Sequence, residues 1–187
     1  MNSHKKLILA SLAICTAVVG TVGVAAMSNS NGLQAVNIVK ADIPLYTLVI
    51  DCKNDIESVN SDFVVNTTSG NPLTFNVNNA NNCFTKVDEG LQFMGNKGGI
   101  ISNKSEFQSL YSIRIDTKDN GYEYNNIQVL GRNSLDDFAA FTPITAGQEK
   151  LFSQLDGNKY FSISAATLMG SNIITSITLK YNCSPTE

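Results

Sequence analysis

Tyr122, Tyr124, Asn125 and Asn126 are the residues of this chain whose types and spacing best suit a chemical task. Two residues apart, Tyr122 and Tyr124 share one face of an extended segment. An aromatic face stacks on the apolar C–H side of a sugar ring, while Asn amides donate to and accept from its hydroxyls. The competing assignment has the two tyrosines capping the edge of a core with their hydroxyls in water. The chain contains no Trp, the stronger sugar platform.

Catalysis is harder to assemble. The single histidine is His4, so a Ser or Cys nucleophile further along lacks its common general base, although Lys or a carboxylate can replace it. Glycoside hydrolysis needs two acids about 5 to 10 Å apart across a cleft. Asp136-Asp137 and Asp88-Glu89 are neighbours in sequence, which on a strand or turn point apart, as solvated loop charges do. Asp116-Thr117-Lys118-Asp119-Asn120-Gly121 has the outline of a calcium loop, but an EF-hand requires oxygen ligands at its third and twelfth positions. Lys118 and Ile127 stand there instead, which favours a hairpin turn. No enzyme activity, cofactor or metal is expected.

The cysteines are Cys15, Cys52, Cys83 and Cys183. The last three are too far apart for zinc spacing and have no histidine beside them. Outside a cell, nearby thiols oxidise, so one disulfide and a leftover thiol are expected. If the first and last strands pair antiparallel, Cys52 and Cys183 fall at opposite ends, which disfavours that bridge. Cys52–Cys83 is preferred, closing a loop of about 30 residues and contributing about 3 to 4 kcal/mol. The alternative is that no bridge forms and the thiols are simply buried.

That oxidising context is implied by residues 1–41. Lys5 and Lys6 precede an uncharged apolar run, Leu7 to Met27, followed by a polar tract ending Val39-Lys40-Ala41. A basic start, an apolar centre and small residues before a cut are the parts of a secretory signal peptide. Cleavage after Ala41 would start the mature chain at Asp42; Val24 and Ala26 offer an earlier cut. An uncleaved run would instead anchor the chain to a membrane, with the remainder still outside because of the two lysines. Ile14 before Cys15 does not suit lipidation. Both readings make residues 42–187 extracellular, either secreted or at the cell surface.

Loss of residues 1–41 removes His4, Cys15 and three lysines but no acid, which takes the formal net charge from −3 to −6. An acidic domain without a clustered basic face has no electrostatic reason to bind nucleic acid. About 146 residues remain, enough for one domain around one core.

That domain reads as all-β. Short apolar or alternating runs recur every ten to fifteen residues or so, separated by Asn, Asp and Gly, as in a sandwich or barrel. They are 46–52, 62–65, 73–77, 91–95, 99–102, 110–116, 126–130, 138–141, 150–155, 160–165 and 174–181. The last is the clearest: Ile177, Leu179 and Tyr181 fall on one face and Ser176, Thr178 and Lys180 on the other. Asn96-Lys97-Gly98-Gly99, Asp119-Asn120-Gly121 and Asp156-Gly157-Asn158 carry the chemistry of tight hairpins. Only Ser105–Leu110 and Ser134–Phe141 suit a helical turn, and the asparagine-rich stretch from Asn54 to Asn82 reads as loops between short strands.

Gly90-Leu91-Gln92-Phe93-Met94-Gly95, Gly98-Gly99-Ile100-Ile101-Ser102, Ser112-Ile113-Arg114-Ile115, Ile127-Gln128-Val129-Leu130, Tyr160-Phe161-Ser162-Ile163-Ser164 and Ile174-Thr175-Ser176-Ile177-Thr178-Leu179 follow one another in order. From about Leu73 to Tyr181 this series resembles the jelly-roll modules of secreted Gram-positive bacterial proteins, similar to galactose-binding-like and carbohydrate-binding domains. The resemblance implies a jelly-roll β-sandwich of antiparallel strands, with a sugar or calcium site on its loops or concave face. It carries over no ligand residue by residue. The expected partner is a glycan or, for a structural or adhesive surface protein, another protein.

Overall fold

The structure is a computed structural model that describes residues 45–68, 70–94, 98–118, 127–137, 139–165 and 171–182. Residues 1–41, Cys183 and the Tyr122–Asn126 patch lie outside the described residues. The strands are β1 (Leu45–Asp51), β2 (Ser61–Val65), β3 (Leu73–Asn78), β4 (Phe84–Val87), β5 (Gly90–Met94), β6 (Ile100–Asn103), β7 (Ser109–Lys118), β8 (Ile127–Arg132), β9 (Thr142–Ile144), β10 (Glu149–Leu151), β11 (Tyr160–Ala165) and β12 (Ser171–Asn182). They form two antiparallel sheets packed as a β-sandwich. One runs β10-β7-β12-β5-β4, with β1 also on β12; the other runs β2-β3-β6-β11-β8-β9.

β12 is the centre of the first sheet because its alternation lets it bury one face along its length. Ile177, Leu179 and Tyr181 are buried, while Ser176, Thr178 and Lys180 stay partly exposed on the other face. β7 covers one edge of β12 from Ile173 to Asn182. The other edge is shared end to end: β1 pairs from Leu45↔Asn182 to Asp51↔Ser176, and β5 from Leu91↔Ile174 to Met94↔Ser171. Between those two stretches, Thr175 is an extra residue in the ladder and its carbonyl accepts from the Cys52 N–H at 3.0 Å.

Aromatic rings join the sheets. Phe75 on β3 stacks with Phe63 at 5.4 Å, meets Phe161 on β11 at 6.2 Å and reaches Phe107 at 6.4 Å. Phe107, on the segment between β6 and β7, makes an edge contact with Tyr181 of β12 at 5.2 Å. Offset and edge-on rings add about 0.5–1.5 kcal/mol per pair beyond their buried area, so this row fixes the spacing of the layers. Asn103 holds the crossing segment that carries Phe107. Its buried amide donates to the Ser105 and Lys159 carbonyls at 2.7 and 3.1 Å, and its Oδ1 accepts from the Phe161 N–H at 2.7 Å.

Several expectations change. The three glycine-rich turns join strands that never pair: β5 to β6, β7 to β8, and β10 to β11 each pass from one sheet to the other. Gly98 (φ 81°) and Asp156 (φ 56°) adopt the left-handed backbone that marks a sharp reversal. Local turn chemistry reports that reversal but not which sheet receives the next strand. β4 is an additional strand at Phe84–Val87, and the strand expected at 138–141 is β9 at Thr142–Ile144. Among the described residues, 3-10 turns fall at Ala80–Asn82 and Phe152–Gln154, whereas Ser109 and Leu110 belong to β7. Asparagines 60, 81 and 82 all have positive φ, which Asn tolerates better than most residues, so that tract serves as turns.

Phe75→Ala is expected to lower the unfolding free energy by about 3–5 kcal/mol, read from urea titration. A loss below about 1 kcal/mol would show that the ring row does not hold the sheets together.

Candidate functional site

The strongest candidate site is a cleft of about 320 Å3 at the end of β7, between β7, the segment after β8 and the turn leading into β11. Small-molecule sites span about 300–1,000 Å3, so it suits one small ligand or the end of a longer one. Buried Leu110 and Phe152 form its floor; Ser109, Asn133, Ser153, Asp156 and Asn158 supply hydroxyl, amide and carboxylate groups around it.

Tyr111 is delivered to this cleft by a β-bulge. Lys180 pairs with Ser112 and Tyr181 with Leu110, so Tyr111 is the extra residue with no opposite number on β12. Leu110 and Ile113 are buried on the two sides of the irregularity, while the Tyr111 side chain stands 49% exposed. A bulge of this kind re-aims one side chain without ending the strand. Tyr111 therefore presents a large ring at the rim of the cleft instead of inserting it into the core.

The far wall is set by backbone contact. A Cβ on Gly157 would lie 2.2 Å from the Arg132 nitrogen, and a Cβ on Gly131 2.7 Å from the Gly157 carbonyl oxygen. Only glycine at both positions lets the turn before β11 lie directly on the end of β8. Lys159 N–H then donates to the Arg132 carbonyl at 3.0 Å, and Leu110 N–H donates to the Asn158 carbonyl. Asn158 is oriented by two long bonds of 3.4 Å, its N–H to Asn133 Oδ1 and its amide to Ser109 Oγ. The Asn133 loop is held in turn by Asp137, which accepts from the Ser134 and Asn133 N–H groups at 2.8 and 2.9 Å. Those bonds, led by Ser134, keep the Asp137 carboxyl below its usual range.

The residues expected to bind, Tyr122, Tyr124, Asn125 and Asn126, lie outside the described residues, in the connection between β7 and β8. The sequence did carry one signal for Tyr111. Ile113 and Ile115 set an alternation that would place Tyr111 inside and Leu110 outside, and the apolar Leu110 is out of phase with it.

The Cys52–Cys83 disulfide is not formed: both thiols are free and buried. Cys52, bonded to Thr175, sits beside the turn end of the β4–β5 hairpin, where a Gly90 Cβ would lie 2.2 Å from the Ile174 carbonyl oxygen. Cys83 enters the same hairpin at its open end, four residues before Val87. At about 3.3 Å per strand residue that is about 13 Å, beyond the 7 Å or so between Cα atoms that a bridge tolerates. Cys83 instead donates to the Met94 carbonyl at 3.0 Å. Burial pushes the Cys52 thiol up to about 12, despite the opposing charge of Lys86. The Lys86 ammonium donates to the Cys52 and Lys53 carbonyls, and burial lowers its own pKa.

Elsewhere the surface carries five ion pairs among the described residues. Lys104–Asp62, Arg114–Asp116, Lys118–Glu89, Lys159–Glu106 and Lys180–Glu149 are ion pairs at 2.7–2.9 Å. Asp116, the first residue of the calcium-like stretch, is occupied by Arg114 and by the Ser176 hydroxyl. Among the described residues no three His, Cys, Asp or Glu side chains converge as a metal site requires. Comparison with protein-family models, with curated proteins and with solved structures found no match.

Three outcomes follow from this geometry. The native protein should leave Cys52 and Cys83 unreactive to a thiol reagent at mild alkaline pH and fully reactive in urea; an intact mass two hydrogens light at this pair would contradict it. Because the folded thiol lies above the ordinary 9.0, its contribution to stability is complete below that value and is lost as pH rises from 9.0 through about 12. Gly157→Ala is expected to cost about 1–3 kcal/mol in urea titration, since its Cβ meets backbone that cannot swing aside. A neutral effect would mean that the β11 turn does not rest on β8.

Proposed function

We propose that this protein is an extracellular, non-catalytic jelly-roll module that binds carbohydrate. The jelly-roll assignment is supported by strand order. Counting β5 to β12 as one to eight, the first sheet reads 1-8-3-6 and the second 2-7-4-5, the interleaving of two Greek keys wrapped into a sandwich. β1 to β4 extend the two sheets. The extracellular assignment rests on the signal-like residues 1–41.

The observation that carries the binding reading is the half-exposed Tyr111 ring above a cleft walled by amide and hydroxyl groups. A ring and several uncharged donor–acceptor groups are what a pyranose offers contacts for: C–H faces on one side and hydroxyls around the edge. Tyr122, Tyr124, Asn125 and Asn126, in the connection that follows the other end of β7, remain a separate candidate patch for the same ligand class. The non-catalytic reading is supported by the state of the carboxylates. Asp62, Glu89, Glu106, Asp137 and Glu149 are all held below their usual range, by lysine partners or, for Asp137, by backbone N–H groups. A general acid working near neutrality needs the opposite shift.

A glycan array probed with the protein, with Tyr111→Ala in parallel, tests the proposal. The expected result is binding to at least one oligosaccharide class, weakened about tenfold or more, that is about 1.4 kcal/mol, by Tyr111→Ala with stability changed by no more than about 0.5 kcal/mol. Absence of any glycan binding at millimolar ligand, with a protein captured stably from a surface extract, would replace carbohydrate binding with a structural or adhesive role.

A further inference from the structure

We infer that the Tyr111 cleft selects its ligand by charge and takes a sugar bearing a free amine, such as a de-N-acetylated hexosamine, in preference to neutral or acidic sugars. This rests on the carbohydrate reading above and specifies the class within it. The cleft wall contains one charged group, the Asp156 carboxylate, and no basic side chain. Asp156 is exposed, sits at the positive-φ corner of the turn and makes no ion pair or hydrogen bond among the described residues.

Arg132, Lys150 and Lys159, the basic residues near the segments that form the cleft, do not line it. The Arg132 guanidinium, behind Asn133, donates to the Leu135 carbonyl at 3.0 Å and to Ser162 Oγ at 3.1 Å. Lys159, two residues past Gly157, is bound to Glu106 at 2.7 Å. Lys150 lines a separate recess with Pro143 and Ile144. Among the described residues the exposed Glu57, Asp88 and Asp136 likewise have no ion pair, but none of them lines this cleft, whereas Asp156 does so beside the exposed Tyr111 ring. An ammonium group answers both, through its charge on the carboxylate and through cation–π attraction to a tyrosine face. A carboxylated or phosphorylated sugar would meet a like charge there with nothing to offset it.

The experiment is titration calorimetry of the full chain with three tetrasaccharides: glucosamine, N-acetylglucosamine and galacturonate oligomers. Weakly acidic buffer keeps the amine protonated. The expected result is about five- to tenfold tighter binding of the glucosamine oligomer than of its N-acetylated counterpart, with the galacturonate weakest. That preference should disappear near 1 M salt, where the Debye length falls to about 3 Å, and in Asp156→Asn. Asn accepts the same positive-φ backbone, so this variant keeps the turn. Tyr111→Ala should weaken both hexosamine oligomers. Equal affinity for the two hexosamine oligomers, or a preference that survives Asp156→Asn, overturns charge selection and leaves carbohydrate binding standing. Binding of none of the three overturns selection of an amino sugar, and only absence of binding across the whole glycan array overturns the carbohydrate reading with it.

Discussion

The burial of one face of β12 under the opposite sheet, with both its edges hydrogen-bonded, is the constraint around which the remaining strands are arranged. Its edges take β7 on one side and β1 and β5 in tandem on the other, so three separate parts of the chain converge on one strand. Its inward side chains then need a second apolar layer. The Phe75, Phe107 and Tyr181 contacts supply the link from one layer to the other. A polar side chain at Ile177 or Leu179 would be left without a hydrogen-bonding partner in that layer.

The same constraint explains where irregularity is tolerated. A strand twelve residues long, bordered by partners of different origin, cannot keep perfect register with all of them. The mismatches are absorbed at Thr175, where the neighbour changes from β5 to β1, and at Tyr111, near the end of β7. The first is filled by the hydrogen bond from Cys52. The second is left open, and its displaced ring becomes the rim of the cleft. Gly131 and Gly157 complete the arrangement by bringing backbone against backbone on the other wall, so the site is framed by elements that cannot shift independently.

The electrostatic pattern separates two kinds of group. The buried thiols and the carbonyl-capping Lys86 belong to the fold, since burial makes Cys52 a poor nucleophile at neutral pH. Asp62, Glu89, Glu106 and Glu149 are held ionised by lysine partners, and Asp137 by backbone N–H groups. Around Tyr111 the polar groups are uncharged except for Asp156.

Residue order alone determined the strand content, the alternation of β12 and the positions of the sharp reversals, because side-chain periodicity and left-handed turn residues are local properties. The antiparallel pairing of first and last strands also followed the expectation that separates Cys52 from the chain's C-terminal end, with Asp51 opposite Ser176 and Leu45 opposite Asn182. Tertiary structure decided the rest. Turn residues do not encode which sheet accepts the next strand, so three apparent hairpins became crossings. The failed Cys52–Cys83 bridge depends on which ends of β4 and β5 the two thiols approach, a distance set by register and not by loop length. The cleft joins Ser109 and Tyr111 to Asn133 and to Asp156 and Asn158, which are separated in sequence and meet only because β7, β8 and the β11 turn are packed together. A bulge exists only relative to a partner strand; without β12 beside it, Tyr111 is one more residue in an alternating run.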